Sequence, residues 1–162
     1  MSSRSAAVVT VSDRVSGGTA EDRSGPAAIA LLESIDLDVL EYRVIPDGVE
    51  SVAAALTEIA GTVDLILTTG GTGLTPRDLT PEGTMTVLER EAPGLAEAMR
   101  AATFGVNPHG MLSRGVAGTL GATLVVTLPG SVRGVQESLS VILPALVHGI
   151  ELLVHGSSDH NT

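Results

Sequence analysis

The chain of 162 residues lacks cysteine, lysine and tryptophan, and it contains one tyrosine and one phenylalanine. Without cysteine it has no thiol nucleophile, disulfide or thiolate zinc site, and the redox compartment stays undetermined. Without lysine it cannot form a Walker phosphate loop, whose last glycine is followed by lysine. The absence of lysine also argues strongly against a phospho-accepting receiver domain, which needs a functional lysine. Any cationic side chain in a site must therefore come from the nine arginines.

Positive charge is scarce as well, because the nine arginines are outnumbered by 19 acidic residues, which gives a formal net charge of −10. Such a balance argues against nucleic acid or an anionic membrane surface as a partner. With 43% apolar and 1% aromatic residues, the core must be aliphatic, which suits helices packed on a parallel sheet. We expect a single domain over residues 1–156 and a disordered polar tail over 157–162. No stretch is expected to reach membrane length, so a cytoplasmic protein is predicted.

Hydrophobic patterning predicts alternating strands and helices. The predicted strands cover residues 6–11, 39–44, 65–67, 116–120 and 123–128. Predicted helices start at Gly25-Pro26, run over 52–59, 81–91 and 94–102, and end with one after Ser131 that kinks or restarts at Pro144. Short alternating units favour right-handed crossovers, so we predict an α/β fold of three layers, a mostly parallel sheet with helices on both faces.

The run TTGGTGLTPRDLTPEG, residues 68–83, follows the third predicted strand. Gly70, Gly71 and Gly73 would let backbone N–H groups approach a phosphate, and Arg77 and Asp78 supply an anion-binding fork and an oxygen ligand for Mg²⁺. A dinucleotide fingerprint does not fit, because proline stands where its last glycine should be. An ordinary surface loop is the plain alternative, but strand, glycines, charged pair and a helix capped by Thr80 together favour a site.

Other polar residues follow strands that should end at the same edge of the sheet. Asp47 and Asp78 could hold one Mg²⁺ between nucleotide phosphates, although Pro46-Asp47-Gly48 is also an ordinary turn sequence. Ser113-Arg114 could bind a terminal phosphate or be a solvated pair. Further candidates at strand ends are Ser12, Asp13, Gly130 and Ser131, the last also a plausible helix cap. We discount a metal site at His148, Glu151 and His155, which lie at the fraying end of a helix.

The central TTGGTG and RDLTPE segments resemble the signature of the molybdenum cofactor biosynthesis family, whose members bind molybdopterin and include adenylyltransferases and a domain of gephyrin. The resemblance extends over nearly the whole chain. It includes VVTVSDR (8–14), DRSGP (22–26), IPDG (45–48), LSR (112–114) and LPGS (128–131).

This resemblance implies a molybdopterin-binding-domain-like fold and transfer of an adenylyl group from Mg²⁺-bound ATP to molybdopterin. It implies that Asp47 and Asp78 are the catalytic and metal-binding residues. The implied substrate- and nucleotide-binding residues are Ser12, Asp13, Gly70, Gly71, Thr72, Gly73, Arg77, Ser113, Arg114, Gly130 and Ser131. A homotrimer and contact with the molybdate-inserting protein of the same pathway are also implied. The alternative is a non-catalytic molybdopterin carrier or scaffold. The enzyme is favoured over it because the motif residues Arg77-Asp78 and Thr80–Glu82 are intact.

Overall fold

A six-stranded sheet is the centre of the computed structural model, which describes residues 4–156. The strands are β1 (Arg4–Val11), β2 (Leu37–Ile45), β3 (Leu65–Thr69), β4 (Arg90–Glu91), β5 (Ala117–Leu120) and β6 (Thr123–Leu128). Their order across the sheet is β2-β1-β3-β6-β5-β4. Strands β2, β1, β3 and β6 are parallel, whereas β5 and β4 are antiparallel to their neighbours. The predicted mostly parallel sheet is confirmed.

Helices cover both faces of this sheet. They are α1 (Asp13–Ser16), α2 (Ser24–Glu33), α3 (Val49–Ile59), α4 (Thr80–Met85), α5 (Pro93–Ala101) and α6 (Val132–His155). Side chains alternate along β1, so that Ala6 and Val8 pack with α2, α5 and α6, and Ala7 and Val9 pack with α3. The two resulting apolar clusters confirm the three predicted layers.

The predicted helix over residues 81–91 is wrong in its second half. Helix α4 ends at Met85, and Arg90–Glu91 form strand β4, where Arg90 pairs with Thr119. The open edge of β5 supplies this pairing, with Glu89 N–H donating to Thr119 O at 2.9 Å. β-Branched Thr86 and Val87 after Met85 weaken continuation of the helix, so the edge pairing prevails.

Two short helical segments were not predicted from the sequence. Helix α1 directly follows Ser12, whose hydroxyl accepts from Val15 N–H at 3.2 Å. A 3₁₀ turn, Pro108–Leu112, is capped by Asn107. Because each is held by one local cap rather than by an apolar face, hydrophobic periodicity did not reveal either.

Helix α6 is continuous, and Pro144 lies inside it without a restart. Contrary to expectation, its 24 residues are long and apolar enough to cross a membrane. Its buried face, however, packs Leu139, Ile142 and Leu146 into the core cluster beneath the sheet. One face of the helix therefore belongs to the core. The predicted tail, residues 157–162, lies outside the described residues.

Candidate active site

The glycine run crosses the carboxyl ends of the central strands in close backbone contact. Gly70 and Gly71 have φ of 92° and 68°, the left-handed region that glycine adopts readily. A Cβ on Gly70 would lie 2.3 Å from Val11 O, and one on Gly71 would lie 2.1 Å from Thr80 Oγ1. Both positions therefore require glycine for conformation and for space.

Thr80 fastens the start of this loop. Its hydroxyl donates to Gly70 O at 2.9 Å, and its N–H donates to Gly71 O at 3.1 Å. The prediction that Thr80 caps α4 is wrong, because Leu79 occupies the cap position and the Thr80 hydroxyl bonds the loop instead. The hydroxyl is buried, where a hydrogen bond to a loop carbonyl satisfies it.

Asp78 closes a small turn at the far end of the loop. Its N–H donates to Thr75 O at 3.0 Å, and its Oδ2 accepts from Thr75 N–H at 2.9 Å. A Cβ on Gly73 would lie 2.8 Å from Asp78 Oδ2, so the carboxylate lies directly against that glycine. The turn thus orients the Asp78 carboxylate toward the glycine backbone.

Asp47 is held by reciprocal bonds with Asp13. Asp13 N–H donates to Asp47 Oδ2 at 2.8 Å, and Asp47 N–H donates to Asp13 Oδ1 at 3.1 Å. Arg77 joins the two loops, because its Nε donates to Asp13 Oδ2 at 2.9 Å and its Nη2 donates to Asp47 O at 2.7 Å. Three strand-end loops are therefore connected by one exposed network.

The charges of this network shift its ionisations. The hydrogen bond from Arg77 lowers the pKa of Asp13. Burial raises the pKa of Asp47, opposed by the Asp13 N–H and reinforced by the negative charges of Asp13 and Asp78. The negative charge of Asp78 therefore affects the pKa of Asp47, as expected of two carboxylates at one sheet edge.

The donor set here fits Mg²⁺ shared with a substrate. Within residues 4–156 no group of three or more His, Asp or Glu side chains forms a metal site. Asp47 and Asp78 both line one cavity, and each uses Oδ2 for a backbone N–H while its Oδ1 has no hydrogen bond among the described residues. Mg²⁺ is commonly held by one or two carboxylates plus phosphate and water oxygens, which matches this arrangement.

Two cavities lie on either side of the glycine run. The first, of about 340 Å³, extends toward α5 and the 3₁₀ turn and includes Met99, Arg100 and His109. The second, of about 430 Å³, extends toward α1 and α2 and is acidic, with Asp47 and Asp22 in its wall. The residues lining both are Gly71, Asp78, Gly130 and Ser131. These four residues form a common wall.

The structure places most of the predicted site residues in the linings of these two cavities. Thr72, Gly73 and Ser113 line the first cavity, whereas Ser12, Asp47 and Gly70 line the second. Ser131 lines both and also caps α6, its hydroxyl accepting from Gly134 N–H at 3.0 Å. Asp13, Arg77 and Arg114 belong to neither lining. Their guanidinium and carboxylate groups bond other parts of the chain instead.

Asp22 was not predicted as a site residue, although its DRSGP segment was noted. Its Oδ2 accepts from Thr10 Oγ1 at 2.7 Å and from the Tyr42 hydroxyl, and its Oδ1 accepts from Gly25 N–H at 3.1 Å. Burial alone would raise the pKa of Asp22, but these hydrogen bonds lower it. Burial and the adjacent Asp22 raise the pKa of Tyr42 to about 12. Asp22 is thus an ionised, fully bonded acid in the second cavity.

Arg100 was also not predicted as a site residue. It lies on helix α5, where hydrophobic periodicity predicts only which face packs against the core. Its Nη1 donates to Gly115 O at 2.8 Å, and the residue lines the first cavity beside Thr103 and Asn107. No sequence signal distinguished Arg100 from the other arginines. Its placement follows from how α5 packs beside the loop after the 3₁₀ turn.

The chain is similar in sequence to known proteins. Residues 7–148 match the family model described as "Probable molybdopterin binding domain". The chain is 44% identical over 157 residues to gephyrin of Dictyostelium discoideum, covering 90% of this chain and 22% of that protein. It is 35% identical over 151 residues to molybdopterin adenylyltransferase of Helicobacter pylori, covering 91% and 86%.

A solved structure gives the same result for the fold. The molybdopterin biosynthesis enzyme MoaB from Thermus thermophilus superposes with a TM-score of 0.88 at 42% identity, covering 94% of this chain and 97% of that one. The family match spans most of the chain, and the similarity includes relatives of nearly the same length. The chain belongs to the molybdopterin-binding domain family of molybdenum cofactor biosynthesis.

Proposed function

We propose that this protein is a molybdopterin adenylyltransferase. An oxygen of the molybdopterin terminal phosphate forms a bond to the α-phosphorus of ATP, and the bond from that phosphorus to the bridging oxygen of pyrophosphate breaks. The observation that carries the proposal is the common wall of Gly71, Asp78, Gly130 and Ser131 between two cavities. A transferase must bring two large substrates together at one point, and relatives that the chain covers over most of their length have this named activity.

The residues at the wall suit this chemistry without a covalent nucleophile. Gly70 N–H donates to Leu128 O, whereas the N–H of Gly71, at the common wall, makes no hydrogen bond among the described residues and can meet a phosphate. Ser131 stands at the N-terminus of the long helix α6. Phosphoryl transfer depends chiefly on alignment and on offsetting charge in the transition state. Backbone groups and side chains that are held in place before the substrates bind can supply both the alignment and the charge compensation.

Asp47 and Asp78 would hold Mg²⁺. The second cavity contains Glu21, Asp22, Asp47 and Asp78 and only one arginine, Arg23, so a polyphosphate could enter it only with a cation. When bound, Mg²⁺ offsets the charge of phosphate oxygens and favours departure of pyrophosphate. The two aspartates would fix the position of the Mg²⁺ ion, and the hydrogen bonds with Asp13 hold Asp47 in place.

Three finer expectations belong to the same proposal and rest on the family resemblance. They are a homotrimer, a cytoplasmic location, and contact with the molybdate-inserting protein of the pathway. The first is tested by light scattering on the purified chain, which should give three times the 16.4 kDa mass.

The enzyme assay follows formation of adenylylated molybdopterin from molybdopterin and ATP, with and without Mg²⁺. The wild-type protein should form the product only with the metal, and pyrophosphate should appear in equal amount. The matched control is Asp36→Asn, a carboxylate on an exposed turn that lines neither cavity, which should retain full activity. Binding of molybdopterin without any product would instead establish the carrier alternative.

A further inference from the structure

Arg114 is bonded to both ends of the loop segment Thr72–Asp78. Its N–H donates to Thr72 O at 2.9 Å, and its Nε donates to Gly73 O at 2.8 Å. Its Nη2 donates to Asp78 O at 2.6 Å. One side chain therefore joins the beginning and the end of the segment Gly73–Asp78.

The third arm of the guanidinium pairs with Glu82 of helix α4. Arg114 and Glu82 side chains are 34% and 42% exposed, so the pair is partly removed from water. The hydrogen bond from Arg114 lowers the pKa of Glu82, which keeps that carboxylate ionised. The positive charge of Arg114 is thus offset locally and contributes little attraction for a distant phosphate.

We propose that Arg114 is a positioning residue for Asp78, holding the turn Gly73–Asp78 at the common wall of the two cavities rather than binding substrate phosphate. A planar guanidinium directs donors to several acceptors in fixed directions, and the compact ammonium of lysine cannot reproduce that fork. Arg114 belongs to neither cavity lining, in keeping with a role exercised through Asp78.

This inference rests on the proposed function, because the consequence of misplacing Asp78 is read in the adenylyl-transfer rate. The test variant is Arg114→Lys, which keeps the charge and removes the fork. Its matched control is Arg43→Lys, since Arg43 also makes a fork to two carboxylates, Glu41 and Glu58, at 31% side-chain exposure. Arg43 lies on the edge strand β2 and lines neither cavity.

In steady-state kinetics, Arg114→Lys should lower kcat by roughly ten- to a hundredfold, because small misplacement of a reacting group has effects of that order. The Kd for molybdopterin should stay within about twofold, and Arg43→Lys should leave both values unchanged. Adding Arg114→Lys to Asp78→Asn should slow the reaction by no more than about twofold further, because both changes disable the same group.

A phosphate-binding role predicts the opposite pattern, a weaker molybdopterin Kd with kcat retained, and losses that multiply in the double variant. A purely structural role predicts a lower Tm with the kcat of folded protein unchanged. Either pattern would overturn the proposal. Should Arg114→Lys not fold, Arg114→Gln, which keeps a shorter donor at this position, takes its place in the same comparison.

Hydrogen exchange gives a readout independent of activity. The amides of Thr75 and Asp78, which are hydrogen-bonded within the turn, should exchange at least severalfold faster in Arg114→Lys than in wild type and should be unaffected in Arg43→Lys. Unchanged exchange would show that Arg114 does not hold the turn. If wild type forms no product, the proposed function fails, whereas the exchange result still decides whether Arg114 holds the loop.

Discussion

Asp78 and Asp47 lie at the same edge of the sheet, yet the protein holds these two carboxylates by different means. Asp78 is fixed by a local turn with Thr75 and by the partly buried Arg114. Asp47 depends on Asp13 and Arg77, whose side chains are 42% and 61% exposed. Exposed charge pairs are weakened by salt and contribute little, whereas partly buried forks are screened less. The Asp78 side should therefore be rigid, and the Asp47 side adjustable.

The largest effect is expected where the loop backbone itself is altered. Gly71→Val adds a side chain at φ 68°, with its Cβ 2.1 Å from Thr80 Oγ1, and should abolish molybdopterin binding in an equilibrium titration. Gly121→Val is the matched control, because Gly121 has a φ of 60° and open space around it. It should lose some stability and keep binding. Equal loss in both variants would mean that strain, not the loop, is responsible.

Asp78→Asn comes next, since it removes one charge and preserves size. Turnover should fall by roughly a hundredfold or more, the usual effect of losing a group that stabilises transition-state charge. Molybdopterin affinity should stay level or improve, because an aspartate repels the substrate phosphate. The kinetic measurement is kcat beside Kd for each protein. A large loss of affinity with normal kcat would place Asp78 in substrate binding instead.

Asp47→Asn should also lower kcat. The loss in the double variant Asp47→Asn with Asp78→Asn is then compared with the losses in the two single variants. If both carboxylates hold one cation, the combined loss should be smaller than the product of the single losses. The same proteins should need more Mg²⁺ for half-maximal rate. Fully multiplicative losses would indicate separate roles for the two aspartates.

A smaller effect is expected in the exposed network. Asp13→Asn should lower kcat roughly two- to fivefold, because Asp47 keeps its bond from the residue 13 N–H and loses only the carboxylate partner. Raising ionic strength should slow the wild type toward the variant, while Asp13→Asn, which has already lost the exposed ion pair with Arg77, should respond little to salt. Rates without salt dependence in the wild type would contradict the proposed difference between the two sides.

The pH profile sharpens this contrast. The pKa of Asp47 is raised by burial and by neighbouring carboxylates, so its ionised form is lost at a higher pH than for an ordinary aspartate. Activity should therefore fall on acidification, and Asp13→Asn, by removing one like charge, should move the acid limb to lower pH. Profiles of kcat for the two proteins measure the shift. A move to higher pH would contradict the assigned cause.

The fold was largely predictable because each central strand carries an uninterrupted aliphatic run, as in β3, and glycine and proline mark the turns between elements. Strand β4 was not, since Arg90–Glu91 pairs with the free edge of β5, a strand that lies far along the chain and pairs on its other side with β6. The helical preference of the residues after Pro81 gave no indication of this pairing with a distant strand.

The site was predictable in its residue types and less so in its contacts. Gly71 and Asp78 were identified from the glycine run that follows a buried strand, and Asp47 was identified from the family resemblance at the end of a neighbouring strand. Arg114 was predicted to contact a phosphate, but its guanidinium bonds loop carbonyls that only the folded chain brings within reach. Asp22 and Arg100 likewise acquire their places from α2 and α5, so their surroundings could not be derived from spacing.

The most direct test of the central claim is a single-turnover measurement with molybdopterin and Mg²⁺-bound ATP on wild type and Asp78→Asn, each first shown to bind molybdopterin. The account predicts adenylylated molybdopterin and equimolar pyrophosphate from the wild type, with the rate lowered roughly a hundredfold or more in the variant and binding unchanged. Wild-type protein that binds molybdopterin and yields no adenylylated product would contradict it.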